Sequence, residues 1–220
     1  MSSLIVLGAA GGAVSGLPCF NGRVALPLVF TSPAAKIAFL TVGSIWFVFE
    51  GVMSVRQRLR ARGGSSTDRS AGIVAGCVAA AAVLSQIFGR RGGLIWPGGT
   101  LWPLVAGLVL LVCGLILRAW SIITLGRFFQ YQIRIQAGHR VVTSGPYRFV
   151  RHPSYTGVIL AIAGYSLASG DVYSLLVSLA LAAIGLAVLI RVEEKQLHDA
   201  LGADYDEFAA HHKRLIPRVF

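Results

Sequence analysis

The sequence predicts an all-α, polytopic membrane protein with five to six transmembrane helices, and three observations support this fold class. Hydrophobic residues make up 55% of the 220 residues and charged residues only 13%, whereas a soluble domain carries about 25% charged residues. The mean hydropathy is +0.70. The apolar residues are grouped in blocks that approach the roughly 20 residues a helix needs to cross a bilayer. Helices are expected because open strands leave backbone groups unsatisfied in hydrocarbon.

Four apolar blocks each predict one helix, at residues 4–20, 37–55, 71–88 and 101–125. A fifth block, residues 155–190, is too long for one span and is interrupted at Ser169-Gly170-Asp171. It predicts a C-terminal helical hairpin whose turn carries Gly170 and Asp171. The first block lacks the charged start of a cleaved signal peptide, so a retained span is favoured.

The net charge of +11 is distributed as a topology signal. Most Lys and Arg residues lie in the loop after the second block, in residues 126–153 and in the C-terminal tail, which share one side if the helices alternate. Basic segments stay in the cytoplasm, so both termini and the candidate site are predicted to be cytoplasmic. The charge is expected to contact anionic lipid of the bilayer and not nucleic acid. The abundance of Arg, Ala and Gly is typical of a GC-rich bacterium, which predicts the inner (plasma) membrane.

Few reactive or charged side chains lie within the apolar blocks. Cys19, Cys77 and Cys113 lack the spacing of metal ligands, so they are predicted to be buried small hydrophobic residues, and no metal is expected. Glu50 and Arg118 each lie inside a predicted span. We expect them to pair with each other, because an isolated charge is costly in hydrocarbon.

Two stretches, residues 126–153 and 191–220, are too polar for the bilayer interior. The chain therefore divides into transmembrane helices at 1–125 and a region of candidate chemistry at 126–220. Before the fifth block, Tyr147, two Arg and His152 lie within seven residues. A helix starting at Pro153 or Ser154 would direct free amide groups at an anionic ligand. Anchoring at the membrane boundary is an equally weighted alternative.

The C-terminal tail predicts an amphipathic helix that lies on the membrane or caps a cavity. Its apolar residues recur with the period of one helical face, at Leu197, Leu201, Tyr205 and Phe208. Glu193 and Glu194 come directly after a span. This acidic pair suits a cationic ligand, and two solvated interface acids are the alternative.

The run VVTSGPYRFVRHPSYTG at residues 141–157, followed by Glu193-Glu194 and by RLIP at residues 214–217, resembles the isoprenylcysteine carboxyl methyltransferase family. These membrane enzymes use S-adenosylmethionine and are related to the phospholipid methyltransferases. The resemblance implies a cofactor pocket at the cytoplasmic ends of the last helices, closed over by the tail. The implied cofactor contacts are Gln132, His139, Arg140, Val141, Val142, Tyr147, His152, Pro153, Ser154, Tyr155, Glu193 and Glu194.

The chemistry of the cofactor agrees with these residue types. Its adenine can stack on Tyr147 or Tyr155, and its ammonium group can pair with Glu193 or Glu194. Its carboxylate needs donors such as His152 or the helix start. A pocket that aligns the acceptor and excludes water then suffices for methyl transfer.

The acceptor is less well defined. A carboxylate acceptor needs only an orienting Arg, whereas a thiol or amine needs a base, for which His139 and His152 are candidates. The family places a substrate Arg four residues before the cofactor-binding Glu, where this chain has Leu189. Arg151 or Arg191 is the candidate replacement, and the departure favours an acceptor other than a prenylated cysteine.

The sequence therefore predicts a methyltransferase acting on a small hydrophobic or lipid-like acceptor that enters from the bilayer. One alternative is a membrane reductase of the sterol-reductase type that uses NADPH, and another is a catalytically silent transport or scaffold protein. Paired acids favour the methyltransferase, because they would repel the phosphates of a nicotinamide dinucleotide. The Arg-rich loops would suit the reductase.

Overall fold

The computed structural model of the protein describes residues 19–20, 23–24, 27–60, 76, 79–80, 82–84, 86–87, 96, 101–126 and 141–217. Apart from one short ladder, the regular structure in these residues is helical. The helices are α1 (Leu28–Thr31), α2 (Pro33–Arg60), α3 (Leu101–Leu125), α4 (Pro153–Ala168), α5 (Val172–Leu201) and α6 (Ala203–His211), with a 3-10 helix at Gly145–Arg148.

Three of these helices are long and apolar enough to cross a membrane: Pro33–Arg56 within α2, α3 and α5. The helical membrane fold is therefore confirmed, and α3 has the predicted bounds. The total of five or six spans stays a prediction, because residues 4–18 and most of residues 71–88 lie outside the described part. Helix α4 has 16 residues, about 24 Å of helix.

The described ladder joins β1 (Cys19–Phe20) to β2 (Arg23–Val24) in antiparallel register. The prediction that the first helix continues to Phe20 is therefore wrong at its end. Asn21-Gly22 stands between the strands, and this dipeptide is a favoured two-residue hairpin connection.

Helices α3 and α4 pack through backbone-to-backbone contact. A methyl group added at Gly114 would lie 2.6 Å from Gly157 O and Ala161 N, and one added at Gly157 would lie 2.8 Å from Gly114 O. Gly107 and Gly164 make the equivalent contact two turns away. Small residues allow this close approach in membranes, where lipid leaves little hydrophobic driving force between helices.

This packing leaves Cys113 on an exposed part of α3. Its neighbour Gly114 is buried against α4, and successive side chains of a helix point about 100° apart. The prediction that Cys113 is buried is therefore wrong. Nothing is described of the Cys19 side chain, and Cys77 lies outside the described residues.

Helices α4 and α5 form the predicted hairpin, with its turn at residues 169–171. Gly170 has φ +84°, a left-handed conformation that glycine adopts without steric cost. Asp171 caps α5, because its carboxylate accepts hydrogen bonds from the Ser174 amide at 2.6 Å and hydroxyl at 2.8 Å.

Helix α2 joins the bundle through aromatic contacts and one ion pair. The ring of Tyr165 on α4 lies 4.6 Å from Phe39 and 5.7 Å from Trp46, between centroids. Arg118, which is 1% exposed, pairs with Glu50, and its Nη2 donates to Glu50 Oε2 at 2.8 Å. The predicted pairing of the two intramembrane charges is confirmed.

The tail differs from the predicted single amphipathic helix. Leu197 and Leu201 belong to α5, and Tyr205 and Phe208 are buried on α6. Gly202, at φ +53°, separates the two helices, because a left-handed residue interrupts the helical hydrogen bonding. The apolar residues expected on one face are therefore divided between two helices.

Candidate functional site

Three segments that are distant in sequence meet at the start of α4: the loop before it, the C-terminal part of α5, and residues 213–215, here named the C-terminal strap. Val150 and Lys213 form a parallel bridge. Three hydrogen bonds fasten the strap, from Arg151 N to Lys213 O (2.8 Å), from His152 N to Arg214 O (2.9 Å) and from Thr156 Oγ1 to Leu215 O (2.9 Å).

Glu194 is the most heavily paired side chain of this cluster. Arg151 Nη1 donates to its Oε1 at 2.7 Å. Arg214 donates from Nε to Oε1 and Oε2 at 3.1 and 3.0 Å, and from Nη2 to Oε2 at 2.7 Å. Its side chain is 12% exposed. Three cationic side chains, with His152 as the third, therefore converge on this one carboxylate.

His152 lies between the two adjacent acids of α5. Its Nδ1 is 3.3 Å from Glu193 Oε2, and its Nε2 is 3.3 Å from Glu194 Oε1. A neutral imidazole carries one donor and one acceptor nitrogen, whereas carboxylates only accept. With a carboxylate oxygen beside each ring nitrogen, the geometry favours the imidazolium form.

The electrostatics agree with this geometry. Burial alone lowers the pKa of His152, but Glu193 and then Glu194 outweigh it and the pKa is raised above its usual value. Burial and then Glu193 raise the pKa of the Tyr147 phenol well above its usual value, and Arg118 opposes the shift. Both side chains are therefore close enough to Glu193 for its charge to act on them.

Three tyrosines lie near the pair Glu193 and Glu194. Tyr155 stacks on His152, with the ring centroids 5.5 Å apart and the planes at 18°. Tyr147 is buried on the 3-10 helix. Tyr205 on α6 is also buried, and burial followed by Glu194 raises its pKa to about 12. Glu193 is the more open of the two acids, with a side chain that is 25% exposed.

The start of α4 offers fewer free amides than predicted. The helix begins at Pro153, as expected, but proline has no N–H. The amides of Tyr155 and Thr156 both donate to the His152 carbonyl oxygen, at 3.0 and 3.2 Å. The Thr156 bond is the first ordinary bond of the helix, whereas the Tyr155 amide and the His152 amide, which donates to Arg214 O, are two of those that a helix start leaves free. The expectation that the free amides point at a ligand is therefore wrong for these two.

The predicted cofactor contacts are partly brought together. Tyr147, His152, Tyr155, Glu193 and Glu194 lie in this cluster. Val141 and Val142 are half-buried in the preceding segment. Gln132, His139 and Arg140 lie outside the described residues.

Two other predicted contacts are turned into the helix bundle. Pro153 is buried, and the Ser154 hydroxyl accepts a hydrogen bond from Arg118 Nη1 at 2.8 Å. This bond joins the start of α4 to the Glu50–Arg118 pair within the bundle.

The two candidate catalytic arginines lie in different surroundings. Arg151 is bound to Glu194, whereas the Arg191 side chain is exposed, and no hydrogen bond or ion pair joins that side chain to another described residue. Leu189, at the position of the family's substrate Arg, is 3% exposed and belongs to the hydrophobic core. A charged side chain at position 189 would therefore be buried in this packing.

Sequence reasoning missed Arg214 and Thr156 as parts of the site. Arg214 stands in the RLIP run on which the resemblance was based, so a signal was present. Its partner Glu194 is twenty residues away and in a different element, and periodicity does not predict such a contact.

Comparison with known proteins shows which family this part of the chain is similar to. The model of the isoprenylcysteine carboxyl methyltransferase (ICMT) family matches residues 107–199. Protein-S-isoprenylcysteine O-methyltransferase B of Arabidopsis thaliana is 34% identical over 110 residues, which are 49% of this chain and 56% of that protein. The uncharacterized protein YpbQ of Bacillus subtilis is 32% identical over 98 residues, 44% of this chain and 57% of that protein. The chain spans about half the length of these curated relatives.

The fold also has a solved counterpart, the eukaryotic intramembrane Ras methyltransferase ICMT (isoprenylcysteine carboxyl methyltransferase). The TM-score is 0.60 at 19% sequence identity, with 87% of this chain and 70% of that chain covered. At this identity the likeness concerns the fold alone. The resemblance predicted from the sequence is therefore confirmed, and the chain is an integral membrane protein whose residues 107–199 match the isoprenylcysteine carboxyl methyltransferase family.

Proposed function

We propose that the protein is an S-adenosylmethionine-dependent methyltransferase whose cofactor pocket is centred on Glu193. The observation that carries the proposal is the unequal pairing of two adjacent acids. Glu194 is bound by two arginines and by His152, whereas Glu193 is within ion-pair distance of His152 Nδ1 at 3.3 Å and is 25% exposed. Glu193 is therefore the carboxylate that best suits a cationic ligand.

The donor set fits the amino-acid end of this cofactor. An α-ammonium group pairs with a carboxylate, here Glu193, whereas both ring nitrogens of His152 already face the two acids of α5. The Tyr155 ring beside them is a stacking surface for the adenine. When bound, the cofactor would supply an electrophilic methyl group, and these residues would orient it and exclude water.

The state of His152 restricts the acceptor. A general base must accept a proton, and His152 is poorly suited to this task because both of its ring nitrogens face carboxylates. A carboxylate acceptor needs no base, because its oxygen is anionic before the methyl group is transferred. This arrangement favours a carboxylate acceptor, and the names of the plant relatives favour a lipid-like acceptor of the isoprenylcysteine type over the different acceptor that Leu189 favoured.

The orienting arginine and the orientation in the membrane belong to the same proposal. Arg151 is the better placed candidate, because it lies in the cluster while Arg191 is exposed outside it. Glu194 holds one of its nitrogens, so contact with an acceptor uses the rest of the guanidinium group. The Arg-rich segments favour the cytoplasmic side of a bacterial inner membrane for residues 126–220 and for both termini.

Calorimetric titration of the detergent-solubilised protein tests the cofactor class. We expect binding of S-adenosylhomocysteine and no binding of NADPH. Binding of NADPH alone would establish the reductase alternative, for which the relatives described above give no support. Binding of neither would leave the silent transport or scaffold alternative.

A further inference from the structure

We propose that Arg214 is a positioning residue of this site: it holds Glu194 in the orientation that leaves Glu193 as the carboxylate facing the cofactor's ammonium group. The inference deepens the proposed function and rests on it. Arg214 is not among the cofactor contacts implied by the resemblance, and it comes from the C-terminal strap.

The contact between Arg214 and Glu194 has the geometry of a strong pair. Nε and Nη2 of the guanidinium reach both carboxylate oxygens, at 2.7 to 3.1 Å. Exposed ion pairs usually contribute little, and the Arg214 side chain is 40% exposed. The two-point geometry and the burial of Glu194, at 12% exposure, are the conditions under which such a pair restrains its partner.

Arg214 also holds His152 by a second route. Its carbonyl oxygen accepts the His152 amide at 2.9 Å, while its guanidinium fixes the carboxylate that contacts His152 Nε2. Arg214 thus holds the main chain of His152 directly, and it holds the Nε2 atom of His152 through Glu194. With Nε2 directed at Glu194, the opposite nitrogen, Nδ1, faces Glu193.

The charge of Arg214 has a separate effect on His152. The charged groups around the imidazole are Glu193 and Glu194 from α5, Arg151 beside it in the chain, and Arg214 from the strap, while Tyr155 from α4 stacks on the ring. Arg214 neutralises part of the Glu194 charge that would otherwise act on the imidazolium. Removing the Arg214 charge therefore raises the pKa of His152 further.

The test compares Arg214→Gln with the matched control Lys213→Gln. Both variants remove one positive charge and keep the backbone bonds of the strap, but Lys213 is exposed and no contact of its side chain is described. We expect Arg214→Gln to weaken S-adenosylhomocysteine binding about tenfold, the size of one charge-assisted contact. Lys213→Gln should bind like the wild type.

The second measurement is an NMR titration of the imidazole of His152, assigned among the five histidines by its loss in His152→Gln. We expect a higher pKa in Arg214→Gln and an unchanged pKa in Lys213→Gln. Weaker binding without this shift would indicate a merely structural role and would overturn the inference, as would unchanged binding.

The two proposals can fail separately. A wild-type protein that binds no S-adenosylhomocysteine rejects the proposed function, whereas the titration of His152 needs no cofactor and still tests the charge effect of Arg214. If Arg214→Gln does not fold, Arg214→Lys keeps the charge and loses the planar fork. We then expect weaker binding with an unchanged His152 pKa, and wild-type affinity would reject the positioning role.

Discussion

The adjacent acids Glu193 and Glu194 should respond differently to the same isosteric change. Glutamine keeps the shape of glutamate and removes its charge, so each variant tests the charge alone. For Glu193→Gln we expect weaker cofactor binding and only a small loss of melting temperature, because His152 at 3.3 Å is the one cationic side chain in ion-pair contact with it among the described residues. For Glu194→Gln we expect a lower melting temperature, because three cations lose their common partner.

The magnitudes follow from the contacts. A hydrogen bond to a charged group contributes about 1.5–3 kcal/mol, so Glu193→Gln should raise the Kd for S-adenosylhomocysteine by about 10- to 150-fold. Removing one partner of a buried pair costs about 3–5 kcal/mol. Because Arg214 is 40% exposed, solvent screening reduces the expected cost of Glu194→Gln below this range, to about 2–3 kcal/mol. For a chain of this size that is a drop of about 5–10 °C in Tm.

Calorimetry on the two purified variants gives the affinities, and tryptophan fluorescence during heating gives the melting temperatures. Wild-type affinity in Glu193→Gln would refute the assignment of this residue to the cofactor. An equal loss of Tm in both variants would show that Glu193 is as much a structural partner as Glu194, and the unequal pairing would then have no functional meaning.

Three further predictions concern the bundle and His152. Gly114→Ala should abolish most of the folded yield measured by size-exclusion chromatography, because its methyl group would lie 2.6 Å from two backbone atoms of α4. The control is Gly51→Ala, whose methyl group would meet nothing within 4 Å. Equal yields of the two variants would contradict the close packing. Arg118→Ala should lower the free energy of unfolding, measured by urea titration, by about 3–5 kcal/mol, because it leaves Glu50 unpaired. A double variant that also replaces Glu50 with Ala should recover part of this lost free energy. Because the pKa of His152 is raised above 6.5, its stabilising charge is present below that pH and is lost as pH rises through the raised pKa. Tm should therefore fall with rising pH in the wild type and less in His152→Gln; parallel curves would show that His152 is not the titrating group.

Much of the fold could be predicted because hydropathy and turn residues act over short distances. The bounds of α3 and the hairpin turn at residues 169–171 depend on the chain's own neighbours. Arg118 and Glu50 could be paired because a charge within a span has few other partners. The ladder of residues 19–20 and 23–24 was not predicted, although Asn21-Gly22 is a local sequence signal for a hairpin, because the apolar residues before it favour a helix.

The glycine contact between α3 and α4 could not be predicted in the same way. Glycines occur throughout the chain, 26 in all, and composition does not tell which of them face another helix. Gly114 and Gly157 acquire their importance from the closeness of two backbones, which is a property of the pair. The same packing decided that Ser154 turns towards Arg118 and that Cys113 is exposed.

The sequence by itself determined that the chain is a helical membrane protein. It also determined that the polar stretches before and after the last hairpin resemble those of the isoprenylcysteine carboxyl methyltransferase family. Only the tertiary structure decided the unequal pairing of Glu193 and Glu194 and the contact of Arg214 with Glu194. Adjacent residues of a helix point about 100° apart, so which acid is neutralised depends on where the strap and the α4 loop lie around α5. Those positions are set by backbone hydrogen bonds between residues more than fifty positions apart in the chain, and no local pattern encodes them.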